Sequence, residues 1–445
     1  MPVAGHLRAG AARALGARGR AARAAPGPPR VAPRLRAGAG AGARAGAFSA
    51  ASASAAAGAA GAGAAPRAAG EAFAELGVSP GLAAAVERDL GIRTPSAIQA
   101  RAIPRLVGGA SAALKCYTGS GKTLAYLLPV LTRLEREEAA AGGGGGGIEA
   151  IVVAPSAELA MQIVRTAQRL ARRPEDVQQC IGGANRLRQI EALRKHRPRV
   201  VVGTPARLAQ LSREGYLPTH HTRTVVLDEA DQLTEPKLKA DMDRIVLHAG
   251  KKVAGGRQTV LVSATMSRRL MDAAAQGRWM ADPELISAGE SPSAALQQGP
   301  GREDEAIAGS LSPTLEHLYV VAPDQHRRHA VERAVKAVAG RRVLVFQNMN
   351  RRLKDTAAKF AGSGRRVEVL HGQLRKDERK AVLDKFRRGK VDLLLVSGVA
   401  ARGLDVPECD VVVNMDVPSD AAQYAHRAGR TGRAGQPGLV LNVGE

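Results

Sequence analysis

The stretch "AALKCYTGSGKTLAYLLPVL", residues 112–131, joins a short apolar strand to an apolar helix through a turn that contains two glycines. Glycine lets the backbone turn tightly, so that successive N–H groups can point inward at a phosphate. Lys122 would then place its charge on the β and γ phosphates, and Thr123 would offer its hydroxyl to Mg²⁺. The first glycine of the general pattern GxxxxGK[ST] is replaced here by Lys115 or Cys116.

A glycine-rich turn with no ligand is the competing interpretation of this stretch. The Lys-Thr pair, placed between a strand and a helix, favours a phosphate-binding loop. The residues of this loop that we predict to bind a nucleotide are Thr118, Gly119, Ser120, Gly121, Lys122 and Thr123.

A second stretch, "TVVLDEADQL" at residues 224–233, crowds three carboxylates at the end of an apolar run. Like charges held this close cost free energy unless a cation lies among them. The strand would end beside the phosphate loop, because the carboxyl ends of parallel strands meet at one crevice. Asp228 is then placed to hold Mg²⁺, mostly through water, and Glu229 to deprotonate an attacking water. Asp231 suits an internal hydrogen bond, and an acidic helix N-terminus without a ligand is the competing interpretation.

Short Val/Ile/Leu runs alternate with longer amphipathic segments in two series, one on each side of residues 288–314. Mostly continuous apolar runs indicate strands buried on both faces, and the helical segments between them predict parallel sheets. The predicted fold class is α/β, with two tandem domains that each contain a mostly parallel sheet flanked by helices. We predict a first domain over 71–287, a Gly-, Ser- and Pro-rich linker over 288–314 and a second domain over 315–445. The predicted strands are 112–116, 150–155, 199–203, 224–228 and 258–265 in the first domain, and 317–322, 342–347, 367–372, 392–397, 410–416 and 438–443 in the second.

The charge of the chain is strongly basic and unevenly distributed. Lys and Arg number 65 against 41 Asp and Glu, and residues 1–70 hold ten Arg and no acid, so the remainder carries 55 basic and 41 acidic residues, or +14. A polyanion is therefore the natural partner of the body of the chain. A solvated basic surface without a partner is the competing interpretation.

Residues 1–70 consist mainly of Ala, Gly, Arg, Pro and Ser, with too few large apolar groups to form a core, so we expect them to be disordered. Such an Arg-rich, acid-free N-terminus is typical of organelle transit peptides and predicts a mitochondrial or plastid destination, with a low-complexity tail as the alternative. No apolar run approaches the ~20 residues of a membrane span, so no membrane partner is expected. The wide spacing of Cys116, Cys180 and Cys409 favours a reducing compartment over a zinc site or a disulfide framework.

With "TGSGKT" before it and "SAT" (263–265) after it, the "DEAD" stretch resembles the DEAD-box RNA helicases, and the resemblance extends through residues 73–443. It implies two RecA-like domains, ATP with Mg²⁺ in the cleft between them, and RNA across both. "GIRTPSAIQ" (91–99), with Phe73 upstream, resembles the Q motif of the family. That match implies that Gln99 reads the edge of the adenine.

Further motifs resemble those with which the family holds RNA. "PSAEL" (155–159), Gly182-Gly183 and "TPARL" (204–208) match motifs of the first domain, and "ARGLD" (401–405) matches one of the second. Only 2% of the residues are aromatic, so we expect RNA to be held by its phosphates and 2′-hydroxyls rather than by base stacking. The residues assigned to RNA are Pro155, Gly182, Gly183, Thr204, Pro205, Arg207, Arg379 and Arg402.

The basic run "HRAGRTGR" (426–433) matches another motif of the second domain. Hydrolysis of a γ-phosphate needs its developing charge neutralised from several sides, which predicts that Arg430 and Arg433 act as arginine fingers when the cleft closes. Alone, the run fits a solvated face or a direct RNA contact equally well. The resemblance further implies that Asp405 reaches the ribose or the phosphates. The residues implied to couple the two domains are Asp231, Ser263, Thr265 and His426.

The chain departs from the family pattern at several positions. Ala157 stands where the family has Arg, which predicts the loss of one RNA-phosphate contact. Ile92 replaces an aromatic residue near the adenine, Ser397-Gly398 stand in place of Thr-Asp, and Lys376 stands in place of Gln. None of these changes removes a hydrolytic group. We therefore expect ATP hydrolysis to be retained, and the grip on RNA or its coupling to hydrolysis to be weakened or rebalanced.

The predicted function is ATP-dependent unwinding of RNA, in which closure of the two domains bends one strand and separates short helices locally. An ATP-gated RNA clamp or assembly scaffold is the alternative that Ala157 and Gly398 motivate, and a DNA translocase on the same fold is a third. Protein partners in an organellar ribonucleoprotein assembly are a further expectation.

Overall fold

The structure is a computed structural model that describes residues 70–141, 147–277, 279–280, 284–287, 311–338, 340–348, 353–362, 364–397, 408–433 and 436–444. The strands of the first sheet are β1 (Ala112–Lys115), β2 (Ala150–Val153), β3 (Val177–Cys180), β4 (Val200–Gly203), β5 (Thr224–Asp228), β6 (Gln258–Ser263) and β7 (Glu284–Ser287). Those of the second sheet are β8 (Leu315–Val321), β9 (Val343–Gln347), β10 (Val367–Leu370), β11 (Leu393–Ser397), β12 (Val411–Asn414) and β13 (Gly438–Gly444).

The helices of the first series are α1 (Glu71–Ala74), α2 (Pro80–Leu90), α3 (Ala97–Val107), α4 (Lys122–Ala141), α5 (Ala157–Leu170), α6 (Arg186–His196), α7 (Pro205–Arg213), α8 (Ala230–Leu233), α9 (Lys239–His248) and α10 (Arg268–Gln276). Those of the second series are α11 (Asp324–Ala337), α12 (Leu353–Ala361), α13 (Lys376–Arg387) and α14 (Ala421–Ala428). Among the described residues, no helix has the length and apolar character needed to cross a bilayer.

Both sheets are parallel throughout the described residues. The first has the strand order β3-β4-β2-β5-β6-β1-β7, and the second has the order β10-β11-β9-β12-β13-β8. Strands β5, β6 and β1 are neighbours, with Asp228 opposite Val262 and Lys115 opposite Ser263 in the register. This order brings the phosphate loop, the acidic turn and the "SAT" turn together at the carboxyl-terminal end of one sheet, because each of them follows one of these strands.

The predicted α/β class with two parallel-sheet domains is confirmed. Every residue of β1, β2, β4, β5 and β6 is buried, as expected for strands covered by helices on both faces. Apolar clusters line the two faces of the first sheet, and two more line the second. Several strands are shorter than predicted; the run 258–265, for example, ends as a strand at Ser263.

Two strands of the first sheet were not predicted, and both lie at its edges. Strand β3 has the sequence VQQC and is only partly buried at its two glutamines. Strand β7 begins with an exposed glutamate. An edge strand needs little apolar surface, so neither carries the continuous apolar run from which the other strands were predicted. Residues 1–69 and most of the predicted linker lie outside the described residues.

Candidate active site and RNA surface

The phosphate loop connects the end of β1 to the first turn of α4, which begins at Lys122. Gly119 and Gly121 have φ values of 90° and 91°, a left-handed conformation that glycine adopts without strain. The Oγ of Ser120 is buried and has no hydrogen-bond partner among the described residues. An unpaired buried hydroxyl beside the N-terminus of a long helix fits a phosphate oxygen, which would accept its proton.

Asp228 ends β5 and is 3% exposed. The hydroxyl of Tyr126, one turn along α4 from the loop, donates to Oδ2 of Asp228 at 2.8 Å. The backbone N–H of Glu229 donates to Oδ1 at 2.9 Å. Burial raises the pKa of Asp228 to about 6, although the charge of Lys122 acts in the opposite direction. A desolvated carboxylate of this kind gains most from a divalent cation held beside it, so the residues present fit Mg²⁺.

Glu229 follows Asp228 and leaves the strand in a left-handed conformation, with φ at 49°. This conformation is uncommon outside glycine and typical of residues at functional turns. It directs the chain abruptly into α8. The Oε2 of Glu229 accepts a hydrogen bond of 2.6 Å from the side-chain amide of Gln232. Gln232 was not among the predicted site residues.

Asp231 forms the centre of a buried network between strand β6 and the second domain. Its Oδ1 accepts the hydroxyl of Ser263 at 2.6 Å, and its Oδ2 lies 3.1 Å from Nε2 of His426 on α14. Thr265 joins the same turn, because its backbone N–H donates to Oγ of Ser263 at 3.2 Å. The structure thus brings together the four residues that the resemblance implied to couple the domains.

The basic turn after α14 lies directly on the phosphate loop. A Cβ added to Gly119 would meet Cγ of Arg433 at 2.8 Å, and one added to Gly429 would meet Cβ of Thr118 at 2.6 Å. Nε of Arg433 donates to the carbonyl of Gly429 at 2.9 Å, which holds the guanidinium along this contact. Arg430 is 7% exposed, so it too lies inside the structure rather than on a solvated face.

The Q-motif residue Gln99 is 2% exposed and tied to the phosphate loop. Its Nε2 donates to the carbonyl of Gly121 at 3.0 Å, and its Oε1 accepts the N–H of Ser96 at 2.9 Å. Each end of the amide therefore has one position left with which to contact a base. Phe73 is 0% exposed in the apolar core, where it supports the packing, and its assignment to the nucleotide site stays a prediction. Ile92 packs at the margin of the same core.

The residues assigned to RNA in the first domain gather at the carboxyl ends of the adjacent strands β3, β4 and β2. Nη2 of Arg207 donates to the carbonyl of Ala184 at 3.3 Å, and its Nη1 is buried without a partner among the described residues. The N–H of Gly182 donates to Oγ1 of Thr204 at 3.2 Å, so this group is already engaged, contrary to our expectation that it would hold RNA. Gly183 is exposed, with φ at 72°. Pro155 lies in the turn that follows β2, and Pro205 is the first residue of α7, which follows β4.

Arg379, on α13 of the second domain, forms an ion pair with Glu158 of the first, with Nη1 3.2 Å from Oε1. This pair joins the two domains at the start of α5, away from the His426 contact. From the sequence, Arg379 was predicted to bind RNA, and Glu158 was given no role. Arg402, Asp405 and Gly398 lie outside the described residues, as does the side chain of Lys376.

Tyr126, Gln232 and Glu158 were missed, although the sequence carried a weak signal for the first two. Tyr126 lies three residues after Thr123, a spacing that places both on one face of a helix. Gln232 lies three residues after Glu229 at the start of a helix. Glu158 had no such local signal, because its partner is 221 residues away.

A phosphate loop beside a buried aspartate, on the central strands of a parallel sheet, defines the P-loop class of nucleotide-binding α/β proteins. The family model of the DEAD/DEAH box helicases matches residues 96–273, and that of the helicase conserved C-terminal domain matches residues 326–435. The chain belongs to the DEAD-box helicase family.

Two curated relatives illustrate the match. The chain is 40% identical to DEAD-box ATP-dependent RNA helicase 47, mitochondrial, from Arabidopsis thaliana, over 81% of this chain and 71% of the relative. It is 34% identical to DEAD-box ATP-dependent RNA helicase CshC from Bacillus cereus, over 79% of this chain and 82% of the relative. Among solved structures, S. cerevisiae Dbp5 bound to RNA and ADP BeF3 matches with a TM-score of 0.67 and 26% identity, over 84% of this chain and 89% of that one.

Proposed function

We propose that the protein is an ATP-dependent RNA helicase whose two domains close on ATP and RNA together. The observation that carries this proposal is the position of Arg433, whose side chain from the second domain lies against Gly119 of the phosphate loop. From this position the guanidinium of Arg433 would need only to swing from the carbonyl of Gly429 to reach the γ-phosphate of a nucleotide in the loop. The relatives and the Dbp5 complex support the same activity, since their names state ATP-dependent RNA helicase action and binding of RNA.

ATP would sit on the loop with its phosphates against the backbone N–H groups and Lys122. Glu229 would take the proton of the attacking water, and Arg430 and Arg433 would stabilise the charge that develops on the γ-phosphate. Gln99 would contact the adenine with the donor and acceptor positions left on its amide. Asp405 would reach the ribose or the phosphates.

Thr123 and Asp228 would hold Mg²⁺, with Tyr126 fixing the orientation of the carboxylate. When bound, the ion supplies positive charge that polarises the phosphate oxygens. The burial of Asp228 supports this assignment, because it raises the pKa of the carboxyl even though Tyr126 and the backbone of Glu229 donate to it.

RNA would lie across the carboxyl ends of β2, β3 and β4 and continue onto the second domain, where Arg402 is the proposed contact. Arg207, Gly183 and Thr204 offer a guanidinium, a backbone N–H and a hydroxyl, which suit phosphates and 2′-hydroxyls and carry no base specificity. Arg379 would stabilise the closed arrangement of the two domains through its ion pair with Glu158. It would contact RNA only once the domains have closed.

The proposed base is tested by Glu229→Gln in the full chain. We expect RNA-stimulated phosphate release to fall at least ~100-fold, which is within the range of a general base, while binding of a fluorescent ATP analogue is retained. Undiminished turnover in the variant would refute the assigned base.

Strand separation is tested on a short RNA duplex with ATP. Stable retention of RNA without strand separation would favour the clamp over the helicase.

We propose the mitochondrion as the destination of the chain. The Arg-rich, acid-free composition of residues 1–70 and the mitochondrial name of the Arabidopsis relative support this choice. Fusion of residues 1–70 to a fluorescent reporter tests it directly. Import into plastids, or retention in the cytosol, would contradict the proposal.

A further inference from the structure

Gln232 holds the side chain of the proposed general base. Its Nε2 donates to Oε2 of Glu229 at 2.6 Å, and its backbone N–H donates to the carbonyl of Glu229 at 2.9 Å. Side chain and backbone together therefore fix the same residue from the first turn of α8. We propose that Gln232 is a positioning residue that orients Glu229 and links it to closure of the cleft. This inference rests on the proposed function, since it takes Glu229 as the base.

The geometry leaves the reactive part of Glu229 available. Among the described residues, Oε1 of Glu229 accepts no hydrogen bond, so it can face a water while the amide of Gln232 occupies Oε2. The amide is neutral, and it therefore orients the carboxylate without placing a second charge beside the phosphates. A carboxylate that is free to rotate would spend much of its time in unproductive orientations, and misplacement of a reacting group by ~1 Å can cost ~100-fold in rate.

The same turn of α8 also carries the contact with the second domain. Asp231 immediately precedes Gln232, and its two carboxylate oxygens are shared between Ser263 and His426. Helix α8 has only four residues, so a displacement of Asp231 moves the adjacent Gln232 with it. Arrival of His426 would thus stabilise the turn that orients Glu229. In the open enzyme the base would be less well ordered, which would suppress hydrolysis without RNA.

The experiment replaces Gln232 by Met, which has a similar length and no donor, in the full chain. We expect kcat of the RNA-stimulated ATPase to fall about 10- to 100-fold, while KM for ATP changes less than about twofold, since the contact acts on the base and not on nucleotide binding. Gln210→Met is the matched control, because Gln210 donates to Glu214 at 3.0 Å on the exposed surface of α7; it should leave kcat unchanged.

The link to closure is tested by a double-mutant cycle of Gln232→Met with His426→Ala. If closure acts on Glu229 through Gln232, the combined loss in kcat will be smaller than the product of the single losses. Multiplicative losses would overturn the link to closure, and an unchanged kcat in Gln232→Met would overturn the positioning role. Glu229→Gln separates this inference from the proposed function: if that variant is inactive and Gln232→Met is fully active, only the inference fails. If Glu229→Gln retains full turnover, the proposed base itself fails.

Discussion

Nε2 of His426, on the second domain, lies 3.1 Å from Oδ2 of Asp231, on the first. Burial alone would lower the pKa of His426, but the hydrogen bond and charge of Asp231 outweigh it and raise the pKa. Burial would likewise raise the pKa of Asp231, but His426 and Ser263 lower it. Each group therefore stabilises the charged form of the other.

The pH dependence of closure follows from this pair. A raised pKa on His426 means that its contribution is fully present below the ordinary value of ~6.5 and is lost as pH rises through the raised value. The lowered pKa of Asp231 adds a loss only at acid pH. We expect the RNA concentration needed for half-maximal ATPase to increase as pH rises above neutrality. The charges of Glu229 and Lys122 also act on His426. The control is therefore a variant at His426 itself: His426→Gln can still form a hydrogen bond but carries no charge, and it should show a flatter pH profile. Identical profiles for both proteins would contradict the assigned pair.

Gly119→Ala should block closure. The new Cβ would meet Cγ of Arg433 at 2.8 Å, and φ at 90° is strained for any L side chain. We expect RNA-stimulated ATPase to fall by more than ~10-fold, because the arginine cannot reach its place against the loop. Gly215→Ala is the matched control: Gly215 has φ at 79° and open space around a Cβ, so it suffers the same backbone strain without the clash. Equal losses in the two variants would show that strain, and not the interdomain contact, is responsible.

The nucleotide-binding half of the site could be predicted from sequence because its signals are local. The phosphate loop, Asp228 and Glu229 each follow a strand whose apolar run is unmistakable, and parallel strands necessarily deliver their carboxyl ends to one edge. The strand 224–228 was predicted to the residue. The placement of residues in a short motif next to a buried strand is therefore predictable from the sequence alone, while their roles stay predictions.

Other parts of the site depend on contacts that no local pattern encodes. The pairing of Arg379 with Glu158 spans 221 residues and requires the two domains to be placed in space. The engagement of the Gly182 N–H by Thr204 depends on the register of two loops. Phe73 lies upstream of the Q motif in sequence, and no local pattern indicated that its large aromatic side chain would be fully buried in the core.

Tyr126→Phe should weaken the proposed Mg²⁺ site without leaving a cavity in the core. The substitution keeps the ring, which is 1% exposed, and removes only the hydroxyl that donates to Asp228 at 2.8 Å. We expect the Mg²⁺ concentration for half-maximal ATPase to rise roughly 10-fold, as is common when a residue that orients a metal ligand is lost. A Mg²⁺ titration at saturating ATP and RNA measures this shift. An unchanged Mg²⁺ requirement together with a lower melting temperature would show that the hydroxyl serves stability alone.

The ion pair between Glu158 and Arg379 should contribute modestly to closure. Both side chains are about one-quarter exposed, so solvent screens the pair and its coupling energy is expected to be ~0.5–1 kcal/mol. A double-mutant cycle of Glu158→Gln and Arg379→Met, read out as RNA affinity in the presence of a non-hydrolysable ATP analogue, measures it. Without nucleotide the coupling should vanish, because the pair joins two domains that meet on closure. A coupling that persists without nucleotide would mean that the pair holds the domains together in every state.

Ala157→Arg should strengthen the grip on RNA. Ala157 is the first residue of α5, beside the strand ends where the residues proposed to bind RNA gather, and the resemblance to the family implies Arg at this position. One added phosphate contact should make the slope of log affinity against log salt steeper by ~0.7 on single-stranded RNA. Arg at a helix N-terminus opposes the helix dipole at a cost of about 0.3–1 kcal/mol, so a small loss of stability should accompany the gain. Ala140→Arg, at the exposed far end of α4, adds the same charge away from the RNA surface. An equal change of slope in both variants would show that net charge, rather than a contact at position 157, determines the affinity.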